Sequence, residues 1–147
     1  MNNTWILVAH RGGARIFENK GPGKGLNLLQ DIPHPEGRLK NKDIGADKPG
    51  RSFDSLGVGR HALGKEQDPA SHIAEQFAKH LGSLLDDGRH QQRYTKLVLV
   101  AEARFLGNLR ASLNPQTAAL VTATLDKDLG SVEPKDLPKH LTDIVRL

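Results

Sequence analysis

The chain has 147 residues, a length that fits one domain built around one hydrophobic core. Charged residues make up 26% and hydrophobic residues 37%, which excludes a membrane-embedded chain and a disordered one. Cysteine is absent, so disulfides, thiolate catalysis and cysteine-ligated zinc are excluded as well.

The amino-terminal residues do not resemble a targeting segment. They lack a basic start, and the apolar run that begins at Trp5 ends after five residues, at Ala9. A secretory signal needs both a basic region and a longer apolar stretch. No run elsewhere approaches the roughly 20 apolar residues of a membrane span. We therefore expect a cytoplasmic protein that has no membrane partner.

Positive charge is concentrated in the first half of the chain. The net charge is +4, and residues 1–65 hold eleven Lys/Arg against six Asp/Glu, whereas residues 66–147 hold ten against eleven. A basic half could attract a polyanion such as RNA. An ordinary solvated surface explains the same excess, because strong nucleic-acid domains carry denser basic clusters. Composition leaves both interpretations open.

The amino-terminal part is predicted to form an antiparallel meander of three strands. The strands are Trp5–Ala9, Ala14–Glu18 and Leu26–Ile32. Glycine-rich segments separate them, as tight turns require, and Pro33 ends the third strand.

A long amphipathic helix is predicted to begin at Pro69. Asp68 before Pro69 forms an N-cap and first-turn signal, and apolar residues then recur at steps of three and four from Ala70 to Leu85. Asp86-Asp87-Gly88 ends or weakens the helix, and a polar extension to Arg93 stays open.

The remainder alternates between strands and helices. We predict a strand at 96–101, a helix at 102–113, a helical turn from 115, a strand at 120–125 and a helix at 136–147. Together with the meander, this order predicts a single α/β domain over residues 1–147, with helices packed on a mixed sheet. The strand at 120–125 would lie at an edge, which leaves room for a homodimer.

A long polar segment, at about residues 33–68, lies between the meander and the first helix. Its second half, residues 46–68, contains four glycines. A segment of this length inside a small domain is usually functional or disordered. The predicted binding residues are Arg11, Arg51, Arg60, His61 and Lys65. Their side chains could contact the phosphates of RNA or of the ribosome, with an affinity that falls as salt rises.

An alternative interpretation is a hydrolase with Asp54, Ser55 and His61 in its active site. A histidine base needs a nucleophile and an orienting carboxylate within hydrogen-bond reach, and nothing in the spacing enforces that. No nucleophile elbow, phosphate-binding loop or zinc-protease helix is present. His72 and His80 lie two helical turns apart, too far to share a metal. We predict neither a catalytic residue, nor a cofactor, nor a metal.

Three blocks of the sequence resemble the bacterial host attachment protein family, described as required for attachment to host cells. The blocks are Trp5–Phe17, Lys48–Ser55 with Gly59–Ala62, and Leu97–Ala101 with Arg104–Arg110. The family pattern usually has an acidic residue at the position of His10. Because no export signal is visible, the resemblance implies an indirect role in attachment.

That family is similar in fold to the middle domain of archaeal and eukaryotic class I peptide chain release factors. In those proteins a Gly-Gly-Gln loop between the strands and a long helix acts in the peptidyl transferase centre. The corresponding residues here are Gly57–His61, and Gly-Gly-Gln is absent from the chain. The resemblance therefore implies the topology and a basic loop, and peptidyl-tRNA hydrolysis does not carry over.

Overall fold

A computed structural model describes residues 3–38 and 69–147, which form a mixed five-stranded sheet with helices packed on it. The strands are β1 (Thr4–His10), β2 (Gly13–Asn19), β3 (Asn27–Pro33), β4 (Lys96–Val100) and β5 (Val121–Leu125). The helices are α1 (Pro69–His90), α2 (Ala103–Ser112), α3 (Pro115–Ala118) and α4 (Leu137–Leu141), with a 3-10 turn at Pro35–Arg38. The predicted α/β architecture is confirmed.

The sheet has the strand order β3-β2-β1-β4-β5. β1 and β2, and then β2 and β3, pair antiparallel, which confirms the meander. β4 joins the other side of β1 in parallel, and β5 extends the sheet in parallel again. β1 is therefore central, and Leu7 lies between Ile16 of β2 and Leu99 of β4.

Two hydrophobic clusters cover the two faces of the sheet. Leu7 and Leu99 pack with α1 and α2 on one face. Ile6 and Val98 pack with Leu137 and other apolar residues of the carboxy-terminal segment 129–147 on the other. Successive side chains of a strand point to opposite faces. A strand covered on both faces must therefore be apolar without interruption, as residues 5–9 of β1 and 97–100 of β4 are.

α1 continues through Asp86-Asp87-Gly88 to His90. Its last turn is held because the Arg89 Nε donates a hydrogen bond to the Thr117 hydroxyl at 2.9 Å. The helix ends where Gln92 adopts a φ of 57° and the Arg93 amide donates to the Gly88 carbonyl at 2.9 Å. These two features form a Schellman-type ending. The N-cap predicted at Asp68 lies outside the described residues.

The predicted helix at 136–147 is wrong beyond Leu141. α4 spans only Leu137–Leu141, and the amides of Ile144 and Val145 both donate to the Leu141 carbonyl, at 3.1 and 3.0 Å. The two β-branched residues are weak helix formers, and both pack against the second cluster. Contact with the sheet thus outweighs one more helical turn. The Leu147 carbonyl then accepts from the Gly25 amide at 3.0 Å.

Arg15 fastens the carboxy-terminal residues to β2. Its guanidinium donates to the Leu129 carbonyl at 3.0 Å and to the Gly130 carbonyl at 3.4 Å. It also lies 5.6 Å from the centre of the Phe17 ring. These hydrogen bonds satisfy two backbone carbonyls in the connection that follows β5. They hold that connection against the half-buried side chain of Arg15.

Both edges of the sheet are identified. β5 is one edge, as predicted, and β3 is the other, where Leu28 and Leu29 are exposed. The homodimer remains a prediction. Among the described helices, none has the length and apolar character needed to cross a membrane.

Burial of Tyr94 makes the free energy of unfolding depend on pH in the alkaline range. Its hydroxyl donates to the Leu85 carbonyl at 2.6 Å, and burial raises the pKa of the phenol from 10.0 to about 12. The unfolded chain ionises near the ordinary pKa and the folded chain does not, so this stability is present below pH 10.0 and is lost between pH 10.0 and about 12. We expect a loss of about 2 kcal/mol over that interval.

Two measurements check this prediction. Tyr94 is the only tyrosine, so the phenolate absorbance of the folded protein should reach half its maximum near pH 12. In urea unfolding, the free energy of unfolding of Tyr94→Phe should fall less between pH 10.0 and about 12 than that of the unchanged protein. The remaining dependence on pH comes from the lysines. Half-ionisation near pH 10.0 in the folded protein would contradict the expected burial effect.

Candidate functional site

A cleft of about 610 Å³ opens at the carboxyl ends of β1 and β4. After β1 the chain turns to β2 on one side, and after β4 it continues to β5 on the other. Ligands of open α/β sheets bind at such switch points, outside the carboxyl ends of parallel strands. The polar side chains that line the cleft belong to Arg11, Ser71, Glu75, Glu102, Arg104 and Asn108.

The hairpin turn after β1 holds Arg11 at the cleft. Within the turn, the Gly12 amide donates to Nδ1 of His10 at 3.1 Å. The Gly12 carbonyl accepts from the His34 amide at 3.0 Å, which joins the turn to the end of β3. The imidazole of His10 thus acts as the acceptor for a turn amide, a task that a carboxylate oxygen could also perform at this position.

His34 links the same turn to α1. A ring nitrogen of His34 lies 3.0 Å from the Arg11 carbonyl. The ring stacks on Phe77 of α1 with centroids 3.9 Å apart and an angle of 1° between the planes. These two contacts hold the hairpin against the helix. His34 also lines a small crevice of about 10 Å³ beside the cleft.

The amino termini of two helices border the cleft. Ala70 and Ser71, in the first turn of α1, line it, and this turn contains no acidic residue. At the start of α2, the Glu102 carboxylate accepts from the Phe105 amide at 2.7 Å and from the Arg104 amide at 3.1 Å. Helix amino termini carry partial positive charge and favour anions. Glu102 offsets this charge at α2.

The charges around the cleft are mixed. Arg11 and Arg104 contribute two positive charges, and Glu75 and Glu102 contribute two negative ones. Glu102 is engaged as a helix cap, while the Arg104 side chain is exposed at the rim. Over the two described ranges, no three His, Asp or Glu side chains come together as a metal site would need. The arrangement suits a polar ligand to which Arg11 and Arg104 could donate hydrogen bonds.

Arg11 is the predicted binding residue that falls within the described part of the chain, and it lies in the cleft. The other four lie outside the described residues, as do both partners of His61 in the hydrolase interpretation. These outlying positions are Arg51, Arg60, His61, Lys65, Asp54 and Ser55. The binding surface and the hydrolase site predicted from them therefore remain predictions.

Ser71, Arg104 and Asn108 were missed by the sequence analysis. One signal for Arg104 was present, since it follows the strand at residues 96–100 by only four positions. Residues that follow a buried parallel strand gather at the ligand-binding edge of the sheet. Ser71 had a weaker signal, its position in the first turn of the amphipathic helix.

Comparison with known proteins gives a family and a fold. Residues 5–141 match the family model described as "Protein required for attachment to host cells". No curated protein matches the chain. A solved structure described only as an "Archaeal protein" is similar with a TM-score of 0.51 and 12% identity, over 99% of this chain and 35% of that chain. At this identity the likeness shows the fold alone, and this chain spans about a third of that one.

Proposed function

The chain belongs to the family of proteins required for attachment to host cells, and we propose that it acts there as a non-enzymatic RNA-binding domain. Its target is single-stranded or ribosomal RNA, recognised through phosphates. The convergence of two arginines and an amino-terminal helix turn on one cleft supports this proposal most directly. Its contribution to attachment is then indirect.

Two arginines that line the cleft support phosphate binding, and Glu75 and Glu102 at the same cleft oppose it. Arginine presents a planar set of donors that matches phosphate oxygens, and Arg11 and Arg104 approach from two different elements. A phosphate backbone crossing the cleft would meet both arginines and the end of the helix.

The residues before α1 carry the remaining predicted RNA contacts. Residues 39–68 hold six Lys/Arg against five Asp/Glu, and they join α1 at Pro69, next to residues that line the cleft. We assign Arg51, Arg60, His61 and Lys65 to RNA contacts on this basis. We also infer a relationship in fold to the release factor middle domain, in which the loop before the long helix enters the ribosome.

Recognition by this surface depends on phosphates more than on bases. Aromatic residues, which stack on bases in single-strand binders, make up 4% of the chain. Of the four phenylalanines, Phe17, Phe77 and Phe105 are buried in the core. We therefore expect little dependence on RNA sequence and a strong dependence on salt.

Arg104→Glu should weaken RNA binding about tenfold and lower the slope of log K against log salt by about 1, because one phosphate contact is lost. The assay is fluorescence anisotropy with a labelled mixed-sequence RNA of roughly 30 nucleotides, titrated at about 50 to 200 mM salt. Co-sedimentation with purified ribosomes tests the larger target.

Arg110→Glu is the matched control. Arg110 is an exposed arginine on the same helix, six positions further on, and it does not line the cleft. The Arg110→Glu substitution should change the affinity for RNA less than twofold beyond the general effect of net charge. Arg51→Ala/Arg60→Ala tests the basic segment in the same assay. Equal losses for Arg104→Glu and Arg110→Glu would overturn the cleft as the site, and no binding at low salt would overturn RNA as the ligand.

A further inference from the structure

A second pocket, of about 400 Å³, lies at the opposite end of the sheet, where β1 and β4 begin. Thr4 and Asn19 form its buried floor. Gly21 and Pro22, in the turn after β2, form one wall. The carboxy-terminal residues 144–146 form another. The cleft described above borders the other ends of β1 and β4, so the two sites are separated by the length of these strands.

The charged side chains that line this pocket are positive. Lys96 and Arg146 line it, and no acidic side chain is among the described residues that do. Lys20 lies between two lining residues, and Lys24 lies in the same turn; both are exposed. Cations gathered around a concave surface raise the local positive potential and attract an anion.

Neither lining cation is engaged elsewhere in the described structure. Across residues 3–38 and 69–147, the salt bridges are Lys135 with Glu133 at 3.5 Å and Lys139 with Asp136 at 3.8 Å. Lys96 and Arg146 are absent from both of these pairs. They are available to an incoming anion, and binding would break no ion pair among the described residues.

Hydrogen bonds fix the walls of the pocket. The Asn19 side chain donates to the Gly25 carbonyl at 2.8 Å and accepts from the Gly21 amide at 3.1 Å, which sets the turn. The Gly25 amide donates to the Leu147 carbonyl at 3.0 Å, which ties the carboxy-terminal residues to that turn. A pocket held in this way loses little conformational entropy on binding.

We propose that this pocket binds the phosphate group of a ligand of mononucleotide size. The phosphate lies between Lys96 and Arg146, close to the hydroxyl of Thr122 at the rim. Pro22, Ile144 and Val145 offer an apolar wall to the organic part of the ligand. The volume falls within the range of about 300–1,000 Å³ that is typical of small-molecule sites.

Two sources can supply such a phosphate, a free nucleotide or the terminal phosphate of an RNA strand. Titration calorimetry at low salt separates them with five probes: AMP, inorganic phosphate, adenosine, and an RNA dinucleotide with and without a 5′ phosphate. We expect saturable binding of AMP, weaker binding of inorganic phosphate and none of adenosine. Preference for the phosphorylated dinucleotide over AMP would identify an RNA end as the source.

The double variant Lys96→Met/Arg146→Met tests the two cations. Both residues are exposed, and methionine keeps an unbranched apolar side chain, so the melting temperature should be unchanged. The loss of two charge-assisted hydrogen bonds should weaken AMP binding at least tenfold. Lys127→Met/Arg110→Met removes the same number of exposed charges away from the pocket and should change binding less than twofold.

Three results would overturn the proposal. They are no saturable AMP binding, adenosine binding as tight as AMP binding, and equal effects of the two double variants. None of them bears on the RNA proposal, whose test uses Arg104 at the other end of the sheet. Chemical shift changes at Asn19, Gly21 and Thr122, with none at Ser71, would support the assignment of AMP to this pocket.

Discussion

Leu7→Ala lowers the free energy of unfolding by about 3–4 kcal/mol, a large loss for a single truncation. Leu7 is fully buried in the central strand, between Ile16 and Leu99 in the sheet. It also packs within the cluster that joins the sheet to α1 and α2. The cavity cannot close easily, because paired strands hold both sides of it.

Leu28→Ala is the matched control, because Leu28 is also a strand leucine but is 49% exposed on the edge strand β3. Its replacement should change the free energy of unfolding by no more than about 0.5 kcal/mol. Urea unfolding of both variants gives the comparison. A stability of about 5–15 kcal/mol is usual for a domain, so Leu7→Ala should still fold. Similar losses for the two variants would mean that β1 is not central to the core.

Gly88→Ala destabilises the protein by about 2 kcal/mol, although alanine normally stabilises a helix interior by about 1 kcal/mol relative to glycine. A Cβ at position 88 would lie 2.7 Å from two ring atoms of Trp5 and 3.1 Å from Tyr94. The two rings pack on each other with centroids 4.7 Å apart, so neither can move without disturbing the other. Overpacking therefore exceeds the gain in helix propensity.

Gly107→Ala is the control for helix propensity. Gly107 is exposed within α2, and an added Cβ would meet no atom within 4 Å. This substitution should raise the free energy of unfolding by about 0.5–1 kcal/mol. Thermal melts should show a lower melting temperature for Gly88→Ala and a higher one for Gly107→Ala. Stabilisation by Gly88→Ala would show that Trp5 and Tyr94 do not close over α1.

The elements with strong local patterns were predictable. The unbroken apolar runs in β1 and β4 predicted strands that are covered on both faces, and a single apolar stripe predicted α1. The end of α1 at His90 was not predictable from Asp86-Asp87-Gly88. It depends on contacts of the last turn with Trp5 and Thr117, both distant in sequence. The helix predicted beyond Leu141 failed for a related reason, since contact with the sheet decides the path of that segment.

The candidate site was predictable only in part. Arg11 follows from a local signal, a cation beside a glycine turn after an apolar strand. Its association with Arg104 depends on the parallel pairing of β1 with β4, about 90 positions later in the chain, and no local pattern gives that pairing. Ser71 joins them because α1 starts at the same edge. The remaining predicted residues, from Arg51 to Lys65, lie outside the described part of the chain.

The central position of β1 also affects how the chain can fold during synthesis. The hairpin of β1 and β2 is made before α1, β4 and residues 129–147, which complete its surroundings in the folded domain. Until residues up to about 141 have left the ribosome, the side chains of Ile6, Val8 and Phe17 lack the contacts with Leu137 and Leu141 that they have in the folded domain. Such late, long-range pairing slows folding and exposes the nascent chain to aggregation. We therefore expect the nascent chain to depend on chaperones that bind apolar strands until residues 129–147 have emerged.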